Sequence, residues 1–237
     1  TRELTLEGAA SLMKGAQGTD VTIITYREDR GDLEINLTSE IITIPTVTGK
    51  MIDGYPGIGY IEISMFNEIT IGALKETYKD LLSEGMNSLI VDLRNNPGGG
   101  LFSAIEVSDF FIPQGPVVHI ETKFGTETYD ARNPGIDIPL VVLVNSGSAS
   151  ASEIVSGAIQ DTGVGILVGE NTFGKGLVQS VFPLMEGTAL KLTTARYLTP
   201  NERDINNKGI EPDHVVVITP EDLMEALLNA PNPEKDS

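Results

Sequence analysis

A chain of 237 residues with 40% apolar side chains can bury the core of one large domain, or of one domain plus a small module. A formal net charge of −18 excludes nucleic acid as a partner, because neutralising phosphates takes clustered lysines and arginines. With no cysteine and only two histidines, thiol chemistry, disulfides and a histidine metal cage are excluded; no metal or cofactor is expected, and no apolar run is long enough for a membrane-spanning segment.

In chain order, residues 4–14 (Leu4, Ala9, Ala10, Leu12, Met13) pattern as a short helix stopped by Gly15 and Gly18. Val21 to Tyr26 and Leu33 to Leu37 alternate as two strands around the turn Asp29-Arg30-Gly31-Asp32. A helix and two strands make a thin module with little core of its own. From Gly57 the pattern alternates strand and helix. Gly59 to Ile63 reads as a strand, the stripe Ile71, Leu74, Tyr78, Leu81, Leu82 as a helix, and Leu89 to Leu93 as a buried strand. A glycine loop leads into a helix ending near Phe111, followed by a hairpin at 116–122 and 126–130 and a buried strand at Leu140 to Val144. A helix is expected from about Ser150 to Gln160, then strands at Ile166 to Val168 and near 177–182, 188–194 and 213–218. Glu221 to Leu228 reads as a last helix and Pro231 to Ser237 as a frayed tail. The alternation predicts an α/β layered core.

Two polar residues near glycines stand out as candidates for chemistry. Ser150 follows a buried strand and a small-residue turn and opens a helix, so its hydroxyl is expected at the C-terminal edge of the sheet. The N–H of Ala151, at that helix start, is suited to a developing oxyanion. The same stretch, Ser150-Ala151-Ser152-Glu153, is also a capping box, and a serine tied up as a cap is no nucleophile. Lys175, between Gly174 and Gly176 with apolar neighbours, could take the serine's proton, because a desolvated amine gives up its own charge more readily. A loop lysine between glycines is equally the ordinary place for a solvated amine. Gln179, four residues on, could orient the lysine or be a plain polar edge residue.

Asp92-Leu93-Arg94-Asn95-Asn96-Pro97-Gly98-Gly99-Gly100-Leu101 is a strand-to-helix turn with three exposed peptide N–H groups, and Gly100 is a candidate second oxyanion donor beside Ala151. As a phosphate loop it lacks the Gly-Lys-Ser/Thr that should follow, and it could simply be a tight crossover. An Asp92–Arg94 ion pair would brace it. A Ser-His-Asp triad would need His214 and Asp161 beside Ser150, and nothing in the sequence places them there.

Taken together, these segments resemble the C-terminal processing peptidases, or tail-specific proteases, of the Ser–Lys class (peptidase family S41). The likeness rests on Asp92 to Gly100, on Ser148 to Ile154, on Val168-Gly169-Glu170-Asn171-Thr172-Phe173-Gly174-Lys175-Gly176-Leu177-Val178-Gln179, and on Tyr197-Leu198-Thr199-Pro200 with Gly209-Ile210-Glu211-Pro212-Asp213. It implies Ser150 as nucleophile, Lys175 as general base, Gln179 as the residue orienting the lysine, and the N–H groups of Gly100 and Ala151 as the oxyanion hole. It also implies a ClpP/crotonase-like α/β core over residues 42–220, preceded over residues 1–41 by the closing part of a PDZ domain, its peptide-flanking helix and last two strands. Residues 221–237 would form a C-terminal helix and tail. The first strands and carboxylate-binding loop of the PDZ pattern have no counterpart in this sequence.

By the same resemblance the substrates are proteins or peptides with free C-termini, cleaved near those ends with a preference for apolar residues. The compartment is extracytoplasmic (periplasm, cell envelope or secreted), and a homo-oligomer is left open. Two other functions compete: a catalytically idle peptide-binding relative on the same fold, and acyl-CoA chemistry on a crotonase-like core, for which no pantetheine or adenine signature is evident.

Overall fold

The computed structural model describes residues 5–41 and 44–217, together with Thr219, Asp222 and Met224. Contacts divide the chain into two units, Thr1–Ile44 and Pro45–Ser237. In the first, helix α1 (Leu6–Met13) starts where the Thr5 hydroxyl accepts the Gly8 N–H at 3.1 Å, with Glu7 in the positive first turn. Strands β1 (Asp20–Arg27) and β2 (Gly31–Thr38) pair antiparallel from Asp20–Thr38 to Arg27–Gly31. No described residue of 5–41 is buried, which is what a helix and a single two-stranded ribbon allow.

The second unit is mixed α/β. Its elements are β3 (Val47–Met51), β4 (Ile58–Ile63), α2 (Thr70–Ser83), β5 (Ser88–Asp92), α3 (Leu101–Phe111), β6 (Pro116–Thr122), β7 (Gly125–Asp130), β8 (Leu140–Val144), α4 (Ala151–Thr162), β9 (Ile166–Gly169), β10 (Leu177–Pro183), β11 (Ala189–Leu198) and β12 (His214–Val215). Six strands form the main sheet in the order β12-β9-β8-β5-β4-β3, parallel except for β3, which pairs antiparallel with β4 at one edge. Alternate residues on one face (Ile61, Ile63, Leu89, Val91, Val142, Val144) are buried in one cluster with Leu74, Leu81, Val107, Val155 and Ala158 of the helices. The other face carries Tyr60, Glu62, Ile90 and Leu143 and is only partly covered, so burial alternates along β4, β5 and β8 even where the sequence, as in Leu140–Val144, is apolar throughout.

The second sheet is antiparallel, in the order β10-β11-β6-β7. Strand β11 meets β6 only at Arg196, Tyr197 and Leu198. Beyond that junction β10 and β11 run on as a two-stranded ribbon whose side chains from Val181 to Met185 and from Ala189 to Thr194 are exposed.

The expected elements recur with ends shifted by a few residues. Strand β3 was not expected: Val-Thr-Gly-Lys-Met has no clear alternation, and it is held by pairing with β4 rather than by propensity. The expected helix at Glu221 to Leu228 and the tail at 231–237 lie largely outside the described residues. Among the described residues no helix is long and apolar enough to cross a membrane.

Candidate active site

The parallel sheet delivers two loops to the same C-terminal edge, one after β5 and one after β8. After β8, Asn145-Ser146-Gly147 turns the chain; the Ser148 hydroxyl donates to the Leu93 carbonyl at 2.7 Å and accepts the Asn145 N–H at 3.0 Å. The Ala149 N–H donates to the Asn96 carbonyl at 3.0 Å and the Ser152 hydroxyl to the same carbonyl at 2.9 Å, so the two loops are stitched together. Between these ties Ser150 has φ 56° and ψ −111°, a left-handed backbone that for serine costs about 1–3 kcal/mol and needs surroundings that impose it.

Gly98 supplies part of that imposition. Its φ is +100°, and a Cβ there would lie 2.6 Å from the Ala149 carbonyl oxygen and 2.9 Å from the Ser150 Cβ, so only glycine lets the loops approach. The Ser150 N–H donates to Glu153 Oε2 at 2.8 Å, one half of a capping box. Both halves of the box are in place by proximity, yet the hydroxyl makes no side-chain cap hydrogen bond, and the Glu153 N–H donates to the Ser150 carbonyl oxygen at 2.9 Å. Ser150 is therefore a cap in outline with its oxygen unspent.

Glu153 is fully buried, where a carboxylate is tolerated only if its lone pairs are filled. They are filled across 22 residues of sequence. Oε2 accepts the N–H groups of Ser150 (2.8 Å) and Lys175 (2.9 Å), and Oε1 accepts the Thr172 hydroxyl (2.6 Å) and the Gly174 N–H (2.7 Å). One side chain thus holds the serine turn and the lysine loop. Tyr197, on β11, makes a second bracket: its O–H is directed at the carbonyl oxygens of Ser150, at 3.0 Å, and of Lys175. Burial, and then the Glu153 charge, push the Tyr197 phenol well above its ordinary value, which keeps it a donor.

The glycine loop departs from expectation at one atom. Phe66 forms a parallel bridge with Gly99: the Phe66 N–H donates to the Gly98 carbonyl at 3.1 Å, and the Gly100 N–H donates to the Phe66 carbonyl at 2.8 Å. The N–H of Gly100, expected to serve an oxyanion, is therefore occupied, and that of Gly98 donates to Asn96 Oδ1 at 2.9 Å. In an extended segment successive peptide groups point to opposite sides, so the Gly99 N–H faces away from Phe66. Among the described residues neither Gly99 N–H nor Ala151 N–H has an acceptor.

A cavity of about 380 Å³ is lined by Gly99, Gly100, Ser150, Ala151, Lys175 and Gln179, among others, so all five residues singled out in the sequence border one space. Lys175 is half-buried and Gln179 exposed, and among the described residues neither side chain forms a hydrogen bond. A β-bulge between Val178 and Gln179 shifts the register where the expected Lys175–Gln179 contact would begin.

A larger cavity, about 710 Å³, opens on the less covered face of the main sheet beside Tyr60, Glu62, Asp92 and Arg94. None of the five singled-out residues lines it, so size does not mark the chemistry here. It does show the expected Asp92–Arg94 pair: Arg94 Nη2 lies 2.6 Å from Asp92 Oδ2, which also accepts the Tyr60 O–H at 2.7 Å. Burial works to raise the Asp92 carboxyl, but the hydrogen bonds from Arg94 and Tyr60 outweigh it and hold the group below its ordinary value. No triad forms with His214: Asp161 is taken by Arg203 and by the Asn201 N–H at 2.9 Å, and His214 lies exposed on β12.

Residues 57–216 match peptidase family S41, covering more than half of the chain. The chain belongs to peptidase family S41. Similar members include the carboxyl-terminal-processing protease of Synechocystis sp., 40% identical over 91% of this chain and 52% of that protein. Carboxyl-terminal-processing peptidase 2, chloroplastic, of Arabidopsis thaliana is 36% identical over 90% of this chain and 43% of its own length. A solved photosystem II D1 C-terminal processing protease superposes with a TM-score of 0.67 at 33% identity, over 93% of this chain and 62% of that one. The chain thus spans about half the length of the curated S41 relatives it matches.

Sequence reasoning missed three residues of this candidate site. Glu153 looked like a local cap because its distant partners are invisible in the sequence. Tyr197 entered only as part of a motif, and Gly99 was indistinguishable from its two neighbours.

Proposed function

We propose that this chain carries the catalytic part of a serine endopeptidase of the C-terminal processing type. Support comes from one juxtaposition: a serine hydroxyl unspent as a cap, a lysine, and two N–H groups without acceptors border the same cavity. Ser150 Oγ attacks a peptide carbonyl while the Lys175 amine takes its proton. The oxyanion of the tetrahedral intermediate receives the N–H groups of Ala151 and Gly99, aimed at the position where charge develops. Lys175 then hands its proton to the leaving amine, and the acyl group stays on Ser150. Water attacks this ester, again losing a proton to Lys175, which returns it to Ser150 as the acid departs. Gln179 orients the lysine once a peptide fills the cavity.

Strand β10 is an outer strand of its sheet, with one edge unpaired among the described residues, and would accept an extended peptide by strand addition. The substrates are proteins with free C-terminal tails, in keeping with the names of the relatives. Residues 1–41 are the closing part of a PDZ domain, consistent with their helix-strand-strand order. Residues 42–220 are a ClpP/crotonase-like protease core, and residues 221–237 a C-terminal extension. The protein works outside the cytoplasm, a reading compatible with a chain that has no cysteine.

The test is acylation by a serine-directed fluorophosphonate, located by mass spectrometry, together with cleavage of an unfolded protein. Label on Ser150, and cleavage lost in both Ser150→Ala and Lys175→Ala, is the expected result. Cleavage by Lys175→Ala at the wild-type rate would refute the lysine base. The absence of a side-chain hydrogen bond on Lys175 favours one second reading, an idle peptide-binding relative; peptide binding with neither label nor cleavage would establish it.

A further inference from the structure

The cavity at Ser150 has a second amine in its wall. Lys191 of β11 is the cross-strand partner of Val181 of β10, and both side chains line the cavity. Paired residues of an antiparallel ladder share a face, so Gln179 and Val181 of β10 lie on the same side as Thr193 and Lys191 of β11. Ser180, Phe182, Leu190 and Leu192 fall on the opposite side.

The charge on this wall runs against that of the molecule. The chain carries −18 overall, yet among the described residues lining the cavity the ionisable side chains at neutral pH are Lys175 and Lys191, with no carboxylate. A lysine that acts as a base must be neutral before it takes the serine's proton, which leaves Lys191 as the wall's charge. Lys191 is exposed and forms no ion pair among the described residues, so its ammonium is free to meet a ligand. Two strand positions, about 7 Å, separate it from the Gln179–Thr193 pair, which puts its partner within a few residues of the bond to be cut.

We propose that Lys191 is a specificity residue that selects a peptide carboxylate close to the scissile bond, either the substrate's own terminal carboxylate or an aspartate or glutamate side chain. This rests on the peptidase reading above and adds a substrate preference to it. Val181, beside the amine, supplies an apolar surface for the neighbouring substrate residue.

Two matched peptide pairs test the proposal: free carboxylate against amide at the C-terminus, and aspartate against asparagine at positions flanking the cleaved bond. At low ionic strength the wild-type protein should favour the acidic member of one pair in kcat/KM by about 1.5- to fivefold, the range for an exposed charge pair. The ratio should persist in Lys191→Arg, fall to one in Lys191→Met, invert in Lys191→Glu, and shrink with added salt. Whichever pair responds identifies the source of the carboxylate. No preference in either pair, or a preference retained by Lys191→Met, overturns the assignment. Anisotropy binding of the same peptides to Ser150→Ala, with and without Lys191→Met, reads the ratio independently of turnover. Absent cleavage would then count against the peptidase alone, and equal binding of both members against Lys191.

Discussion

Ser150 sits in a turn whose polar atoms are mostly buried and paired, through Asn96, Ser148, Ser152 and Glu153, whereas the strand that follows Lys175 is exposed from Val181 onward. Glu153 and Tyr197 reach across to the lysine half but hold Lys175 itself only by its backbone, at the N–H and the carbonyl. The proposed nucleophile is therefore oriented before any ligand arrives. The ribbon beyond the lysine, by contrast, exposes Val181, Phe182, Leu184, Met185, Leu190 and Leu192 and has little burial to fix it.

The comparison breaks most sharply at Gly99. A Cβ there would lie 2.0 Å from the Phe66 carbonyl oxygen, at φ +148°, so Gly99→Ala must displace the loop. Losing one aligned oxyanion donor should lower kcat by about 10²–10³-fold, measured on a peptide substrate. Gly100→Ala should lose far less: its Cβ would meet nothing nearer than 3.8 Å, and its N–H already bonds Phe66. If the two variants lose equal activity, Gly99 is not the donor.

Glu153→Gln attacks the tie between the halves. An amide offers one acceptor oxygen, and sets an NH₂ donor against N–H and O–H groups that need an acceptor. About 3 kcal/mol of stability should be lost in denaturant unfolding, the usual effect of breaking a buried charged network. Activity should fall further than stability explains, because the Ser150 turn and the Lys175 loop would no longer share an anchor. Wild-type activity in a folded Glu153→Gln protein would show that the halves hold their places separately.

Much of this was legible locally. Helical periodicity marked the helices, and short unbroken apolar runs marked the core strands β5 and β8. Gly100, Ser150 and Ala151 border one cavity because the strand-loop-helix pattern brings their loops to one sheet edge, and Lys175 and Gln179 join them from the loop after β9 and from β10. What stayed hidden is non-local. Nothing in Ser150-Ala151-Ser152-Glu153 says that the glutamate reaches Thr172, Gly174 and Lys175. Three glycines in a row look alike until Phe66 engages the neighbours of the middle one. Strand β3 exists only because β4 offers it an edge.

The smallest expected effect concerns the base of the nucleophile half, where Asp92 closes β5 with Arg94 and Tyr60. A carboxyl held below its ordinary value binds fewer protons folded than unfolded near its titration, so its stabilisation is present above the unfolded value and is lost as pH falls through the folded one. Asp92→Asn should therefore lower unfolding stability by about 1 kcal/mol at neutral pH, a figure kept small because the Arg94 guanidinium is partly exposed and screened. Below about pH 4 the gap should close, as the wild-type carboxyl also becomes neutral. A gap that stays constant down to pH 2 would mean that the asparagine fails for reasons of packing, and that the charge on Asp92 contributes nothing to holding the loop under Ser150.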